Sequence, residues 1–171
     1  VGDVRGTKPL IGESTEQIDL NNYTMVPGFV DAHGHVVNAG LQAASANLLP
    51  VPDGEVNSFA ELVETLTAWS ISPEGKSFMD KTGWLLGFGF DDSQLSEKLY
   101  PTSQELDQIS REKPVLIIHQ SSHFGVLNRV ALELAGIDDC QADIPGGKIR
   151  CQADGKTPNG VLEENAFFAA L

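Results

Sequence analysis

The four histidines of this chain fall into two pairs, His33-x-His35 and His119-x-x-x-His123. Side chains two residues apart on a β-strand point to the same side, so His33 and His35 are spaced to bind one metal ion at the end of a strand. Asp31 has the same spacing from His33 and could support a ligand or act as a further one. The alternative is ordinary surface or turn sequence, because motifs this short also occur by chance.

The second pair depends on the structure of the segment that carries it. The apolar, β-branched run Val115–Ile118 predicts a buried strand, with His119 at its end and His123 in the following loop. In a helix the same spacing would put both imidazoles on one face. The run before them and Gly125 after them favour the strand. The alternative for both His119 and His123 is a hydrogen-bonded loop histidine with no role in binding or catalysis.

Three carboxylates stand next to the predicted elements. Asp91 and Asp92 follow the apolar stretch Trp84–Phe90 and could line a pocket, although capping of the next turn is the favoured interpretation. Glu164 could approach an active site. Its alternative is a solvated glutamate at the start of a helix, where the helix dipole favours negative charge.

Strands and helices alternate along the chain, which predicts an α/β fold. Buried strands are predicted at 29–30, directly before the first histidine pair, at 84–90 and at 115–118. Helices are predicted within 36–49, after the capping residues Ser58, Thr102 and Asn128, and at 161–171. Glycine-containing turns at 146–147, 154–155 and 159–160 predict hairpins around residues 148–150. Residues 1–26 are expected to form short strands and turns, with a half-buried strand at 18–20.

The composition argues against several kinds of partner. With 24 acidic and 11 basic residues, the formal net charge is −13. This charge argues against nucleic acid and anionic membranes, because phosphate binding needs clustered Lys and Arg. No apolar run is long enough to cross a membrane, and residues 1–5 show no signal-peptide pattern. Hydrophobic residues make up 41% of the chain, which is enough for a buried core.

Cys140 and Cys151 each open the same tetrapeptide, Cys-Gln-Ala-Asp. A disulfide closing this loop is possible, but two cysteines without a wider framework do not indicate one. A metal site is not indicated either, because no histidine lies near them in the sequence. We therefore expect both residues to be free thiols.

The segment Val26–His35 resembles the first-strand signature of the amidohydrolase superfamily. Further motifs are similar to the amidohydrolase 3 branch, which includes N-substituted formamide deformylase-like and YtcJ-like metal-dependent hydrolases. These motifs are Gly87–Asp92, Pro101-Thr102 with Leu106-Asp107, Lys113–Val115, His119–His123, Asn128 with Ala131-Leu132, Gly146-Gly147 and Gly160–Glu164. The resemblance runs from about residue 15 to residue 171, with the motifs in the family's order.

The resemblance implies metal-assisted hydrolysis of a carbon–nitrogen bond other than a peptide bond. A divalent metal, with zinc favoured because neutral imidazole suits it, would be bound by His33 and His35. Such an ion lowers the pKa of bound water and polarises the substrate carbonyl. The resemblance also places His119, His123 and Glu164 against a small-molecule, amide-type substrate.

The implied fold is a TIM barrel, which needs eight strands and about 250 residues. This chain would then comprise an N-terminal β segment (1–26), barrel strand one with the helix after it (27–49) and an inserted α/β domain (50–171). The remaining ligands and catalytic residues would lie beyond Leu171, so the fragment alone is expected to be inactive. Exposed strand edges would favour self-association. The alternatives are a small-molecule-binding α/β module without chemistry, and a self-contained metal site made of the four histidines.

Overall fold

The computed structural model describes residues 4–171. The chain divides into two compact units, one ending at Gly34 and the other running from His35 to Leu171. Within the described residues, no helix is both long enough and apolar enough to span a membrane.

The first unit contains little regular structure. It begins with a single helical turn, α1 (Val4–Thr7), and a 3-10 helix (Lys8–Leu10), and its remaining described residues form turns and extended chain. The strand predicted at 29–30 does not form within the described residues, where Phe29 is fully exposed and Val30 is 90% exposed. The strand predicted at 18–20 is absent as well, because among the described residues of this unit neither segment has a neighbouring strand to pair with.

The second unit is a mixed α/β structure built on one six-stranded sheet. Its helices are α2 (Val36–Ala43), α3 (Phe59–Ile71), α4 (Pro73–Thr82), α5 (Ser103–Leu106), α6 (Arg129–Leu134) and α7 (Asn165–Ala169). Its strands are β1 (Ala46–Asn47), β2 (Leu85–Phe90), β3 (Val115–His119), β4 (Phe124–Leu127), β5 (Gly147–Cys151) and β6 (Pro158–Glu164). The strand order is β1-β2-β3-β4-β6-β5, with β1, β2 and β3 parallel and the remaining neighbours antiparallel.

The capping residues begin helices where the sequence predicts. The Ser58 hydroxyl accepts a hydrogen bond from the backbone N–H of Glu61. Thr102 and Glu105 form a complete capping box at α5. The Asn128 side chain accepts from the N–H of Ala131 at α6. These predictions succeed because each cap depends on residues within four positions of one another.

The hydrophobic core lies on both faces of β2 and β3, and every residue of these two strands is buried. Alternate residues of a strand point to opposite faces, so Leu85 and Ile117 pack on one side with Leu62 and Leu66 of α3. The other face packs against α6 and α7. Its buried members are Leu86, Phe88, Leu116, Ile118, Leu132 and Phe167. The carboxyl ends of both strands are thereby held rigidly side by side.

The helix predicted at 161–171 is wrong over its first four residues. Val161 and Leu162 lie in β6, which pairs with β4 on one side and β5 on the other, and the helix α7 begins only at Asn165. Gly160, expected in a turn, lies inside β6 with a φ of 101°. Pairing on two sides satisfies the backbone of this segment better than a short helix would.

The expectation of free thiols is also wrong, because Cys140 and Cys151 form a disulfide. Their Cα atoms lie 5.4 Å apart. The backbone N–H of Cys140 donates to the carbonyl of Lys156, which holds the loop before β5 against the β5–β6 turn. This contact depends on the fold of the hairpin and is invisible in the cysteine spacing.

Candidate functional site

His119 lies at the end of β3, beside two aspartates at the end of β2. Its Nε2 atom is 3.4 Å from Oδ1 of Asp92 and 3.8 Å from Oδ1 of Asp91. One donor atom from each of the three side chains lies within 4.8 Å of the others. The two strands are parallel neighbours, so their carboxyl ends meet at the same edge of the sheet. We call Asp91, Asp92 and His119 the carboxylate–histidine cluster.

Asp91 is held in place by hydrogen bonds to both carboxylate oxygens. Oδ1 accepts from the backbone N–H of Ser93 at 2.9 Å and from its hydroxyl at 2.7 Å. Oδ2 accepts from the side-chain amides of Gln94 and Gln120. Burial by itself would raise the pKa of Asp91, but the bonds from Ser93 and Gln94, with His119 nearby, bring that pKa below its usual 3.8. Asp91 is therefore ionised at neutral pH.

The two ring nitrogens of His119 have different surroundings. Nδ1 accepts from the backbone N–H of Ser121 at 3.1 Å and lies 2.8 Å from the Ser121 hydroxyl. Nε2 is buried and has no hydrogen-bond partner within the part of the chain that the structure describes. Burial lowers the pKa of His119 below 6.5, and the charges of Asp92 and Asp91 offset only part of this effect. The imidazole is therefore neutral at pH 7.

Three aromatic rings surround the His119 imidazole. Phe90 and Phe124 present their edges at centroid distances of 5.2 Å and 5.5 Å, and Tyr100 lies at 6.3 Å. The guanidinium of Arg150 covers the Tyr100 ring at 4.1 Å. Burial, followed by the charge of Asp92, raises the pKa of Tyr100. The rings exclude water from one side of the cluster and strengthen its electrostatic interactions.

His123 and Glu164, for which the family resemblance implies substrate binding, lie together. Nδ1 of His123 is 2.9 Å from Oε2 of Glu164, and both side chains are about half exposed, at 57% and 48%. The backbone N–H of Glu164 also donates to the carbonyl of His123. Glu164 has a φ of 49° at the junction of β6 and α7, and its side chain makes no capping hydrogen bond to the helix. Their role in substrate binding stays a prediction.

His33 and His35 lie on either side of the boundary between the two units. The backbone N–H of His33 donates to Asp31 at 3.0 Å, and His35 directly precedes α2. Both residues are exposed. Neutral imidazoles suit zinc, and catalytic zinc sites have three protein ligands, so the pair fits part of such a ligand set. Their metal-binding role stays a prediction.

The sequence analysis did not predict that Asp91 and Asp92 lie next to His119. Capping was the favoured role for the aspartates, and Asp91 does cap the turn at Ser93. The available signal was that polar residues follow two consecutive buried strands, which meet at one edge when the strands are parallel. The self-contained site of four histidines receives no support around His119. In the described residues 4–171, the side chains that could bind a metal ion together with His119 are those of Asp91 and Asp92.

The family model described as the amidohydrolase family matches residues 16–171 of this chain. The chain belongs to this family. The resemblance in the sequence motifs is thereby confirmed. The histidine pair, the carboxylate–histidine cluster and the His123–Glu164 pair all lie within the matched residues of this amidohydrolase chain.

Individual relatives agree with this assignment. The chain is 32% identical over 164 residues to the N-substituted formamide deformylase of Arthrobacter pascens, covering 96% of this chain and 28% of that protein. It is 31% identical over 152 residues to the putative amidohydrolase YtcJ of Bacillus subtilis (strain 168), covering 89% and 26%. The chain thus spans little more than a quarter of the length of these two relatives.

A solved structure is also similar, namely an uncharacterized metal-dependent hydrolase from Pyrococcus horikoshii OT3. The TM-score is 0.52 at 26% sequence identity, and the similarity covers 84% of this chain and 23% of that one. The mixed sheet with its flanking helices therefore occurs within a larger metal-dependent hydrolase.

Proposed function

We propose that this chain is the N-terminal part of a metal-dependent amidohydrolase that cleaves a carbon–nitrogen bond other than a peptide bond. The observation that carries the proposal is the family match over residues 16–171, which includes the His33–His35 pair. The similarity to a protein named N-substituted formamide deformylase supports an amide-type small molecule as the substrate. The similarity to a metal-dependent hydrolase supports the metal.

In the complete enzyme, His33 and His35 would hold a divalent ion, with zinc favoured because its donors include neutral imidazole. When bound, such an ion activates water and polarises a carbonyl group. Asp31, whose carboxylate already accepts from the N–H of His33, limits the backbone conformations of this segment. The two imidazoles provide part of the ligand set, and further ligands would come from the rest of the protein.

His123 and Glu164 are the residues proposed to contact the substrate from the inserted domain. The Glu164 carboxylate can accept a hydrogen bond from an amide N–H, and Nε2 of His123 can accept one from a further donor group while Nδ1–H donates to Glu164. Their mutual contact at 2.9 Å orients both groups while leaving each about half exposed to a ligand. The resemblance assigns His119 to the substrate as well, and its side chain is buried beside Asp91 and Asp92.

The proposal includes the barrel assignment, in which residues 27–49 supply barrel strand one and the helix after it. The exposed side chains of Phe29 and Val30 support it, because they are typical of a segment whose apolar residues pack in a larger sheet. Self-association through exposed strand edges is also part of the proposal. Light scattering on the 171-residue chain tests this, with a mass of one chain as the contrary result.

The test of the proposed function uses the full-length protein and the His33→Ala/His35→Ala double variant. Metal content is measured by elemental analysis, and hydrolysis is measured with an N-substituted formamide. We expect the double variant to lose one metal equivalent and its hydrolytic activity, because both imidazole ligands are removed. Equal metal content in the two proteins would overturn the assignment of these ligands, and absence of hydrolysis in the wild type would overturn this substrate class.

A further inference from the structure

We propose that Asp91, Asp92 and His119 form a binding site for a divalent transition-metal ion, with a ligand set that includes neither His33 nor His35. The site lies at the carboxyl ends of β2 and β3, where the parallel pairing of these strands brings the three side chains together. The proposal rests on the geometry of the cluster and does not depend on the proposed hydrolysis.

The donor atoms are close to the separations that a metal ion requires. Ligands at 2.0–2.2 Å from zinc in a tetrahedral site lie about 3.3 Å from one another. Nε2 of His119 and Oδ1 of Asp92 are already 3.4 Å apart, and the contact with Asp91 is 3.8 Å. The side chain of Asp92 is 26% exposed, which leaves it more room to move than the 7% exposed side chain of Asp91. All three donor atoms lie within 4.8 Å of one another, so closing the site needs only small side-chain movements.

The buried Nε2 atom of His119 is the second, independent observation that points to a ligand. His119 is 92% buried, since its relative exposure is 8%, and Nε2 has no hydrogen-bond partner among the described residues. Buried polar atoms are nearly always paired, because an unpaired one loses its interaction with water without replacement. The atom lies 3.4 Å from Oδ1 of Asp92 and 3.8 Å from Oδ1 of Asp91. A cation between them would satisfy all three groups at once.

The charges at the cluster match a dication. The carboxylates of Asp91 and Asp92 carry a formal charge of −2, which a divalent ion neutralises. The nearby basic side chains are used elsewhere, because Arg150 pairs with Glu163 and Lys98 donates to the carbonyl of Ser93. The site therefore concentrates negative charge beside three aromatic rings, where a bound cation would be strongly favoured.

The surrounding hydrogen bonds are those that support metal ligands. Metal-binding histidines usually donate their other ring N–H to a neighbouring acceptor, and ligating carboxylates are themselves hydrogen-bonded. If the proton of His119 is on Nδ1, Nδ1–H can donate to the Ser121 hydroxyl oxygen at 2.8 Å. In this tautomer Nδ1 no longer accepts the hydrogen bond from the backbone N–H of Ser121. Ser93, Gln94 and Gln120 already hold Asp91.

The donor chemistry indicates which ions would bind. One imidazole nitrogen and two carboxylate oxygens suit Zn²⁺, Co²⁺ or Mn²⁺, whereas Mg²⁺ and Ca²⁺ prefer all-oxygen sites. Three protein ligands leave a coordination position for water or another small ligand. The disulfide removes the cysteine thiols as competing ligands, so the metal spectrum of the chain reports on imidazole and carboxylate donors.

The experiment uses the 171-residue chain carrying His33→Ala and His35→Ala, so that the other proposed ligands are absent. Co²⁺ binding is followed by its visible absorption, and Zn²⁺ binding by titration calorimetry. We expect one equivalent of either ion to bind, and Mg²⁺ to bind more weakly. Asp92→Asn in this background should weaken Zn²⁺ binding about tenfold or more, because it removes a charged ligand. Circular dichroism verifies that the variant retains its fold.

The matched control is Glu164→Gln, which removes a carboxylate next to the exposed histidine, His123, and leaves the cluster intact. Its Zn²⁺ affinity should equal that of the His33→Ala/His35→Ala parent. No binding by the parent, unchanged affinity in Asp92→Asn, or an equal loss in Glu164→Gln would each overturn the proposal. None of these outcomes bears on hydrolysis by the full-length protein, so the two proposals fail independently.

Discussion

Phe90 lies opposite His119 in the parallel pair β2–β3, although Phe88 lies opposite Ile118, so Gly89 has no partner of its own in the register. This irregularity advances β2 by one residue relative to β3. The carbonyl of Phe90 accepts from the N–H of Gln120, and Asp91 follows directly beside the imidazole. A local insertion of one residue therefore aligns the carboxylate–histidine cluster, as bulges near functional sites often do.

Replacing Gly89 with alanine should destabilise the protein and disturb the cluster. Gly89 has a φ of 104°, and a Cβ there would lie 2.8 Å from the side chain of Leu49. We expect a loss of about 1–3 kcal/mol in the free energy of unfolding, measured by urea denaturation. The control is Gly155→Ala, because Gly155 also has a positive φ but open space around its Cβ position. An equal loss in both variants would show that packing against Leu49 is unimportant.

Replacing Asn128 with alanine should cost more stability than removing an exposed cap. Asn128 is fully buried, accepts from the N–H groups of Val115 and Ala131, and donates to the carbonyls of Ser110 and Lys113. The variant leaves several buried backbone groups unpaired, so we expect a loss of about 2–4 kcal/mol in the free energy of unfolding.

The comparison variant is Ser58→Ala, which removes a cap outside the buried core and should cost about 1 kcal/mol. Urea denaturation at neutral pH measures both losses. If Asn128→Ala costs no more than Ser58→Ala, the bonds that tie α6 to the start of β3 do not contribute beyond the cap itself.

Reducing the disulfide should lower the stability of the second unit, in which it links the loop before β5 to the end of β5. Cys140 and Cys151 are 11 positions apart, and closing a loop of this size stabilises a protein by about 3 kcal/mol through the entropy of the unfolded chain. We expect the midpoint of denaturation to fall when a reductant is added. The Cys140→Ala/Cys151→Ala variant should show the lower midpoint under both conditions, and a midpoint that still responds to the reductant would refute this origin.

Asp154 should make stability depend on pH in the acidic range. Its carboxylate accepts from the hydroxyl and N–H of Thr157 and from the N–H of Lys156, and these bonds lower its pKa from 3.8 to about 2. A lowered pKa in the folded state gives stability that is complete above 3.8 and is lost as the pH falls towards 2.

The free energy of unfolding of wild type and of Asp154→Ala is measured by denaturation at a series of pH values from about 6 to about 2. The difference in the free energy of unfolding should be constant above the unfolded pKa and should shrink below it. Asp80→Ala, which removes an exposed carboxylate of α4, serves as the control for net charge. A difference that grows on acidification would contradict the assigned hydrogen bonds.

Local sequence patterns determined much of the second unit. Ser58, Thr102 and Asn128 cap helices as predicted, because each cap joins residues within one helical turn. The apolar runs at 84–90 and 115–118 form buried strands, because burial of such runs favours extended structure in an α/β sheet. The same reasoning placed His119 at the end of a strand, and the motif order indicated the amidohydrolase family that the comparisons confirm.

Only the tertiary structure decided the features that join distant parts of the chain. The cluster of Asp91 and His119 depends on the register of β2 against β3, and the disulfide depends on the loop that the β5–β6 hairpin holds in place. Pairing on both sides made Val161 part of a strand, whereas Phe29 has no such neighbour within its own unit and is exposed. Sequence patterns report interactions within a few residues, while register, pairing and burial are set by free energies summed over the whole fold.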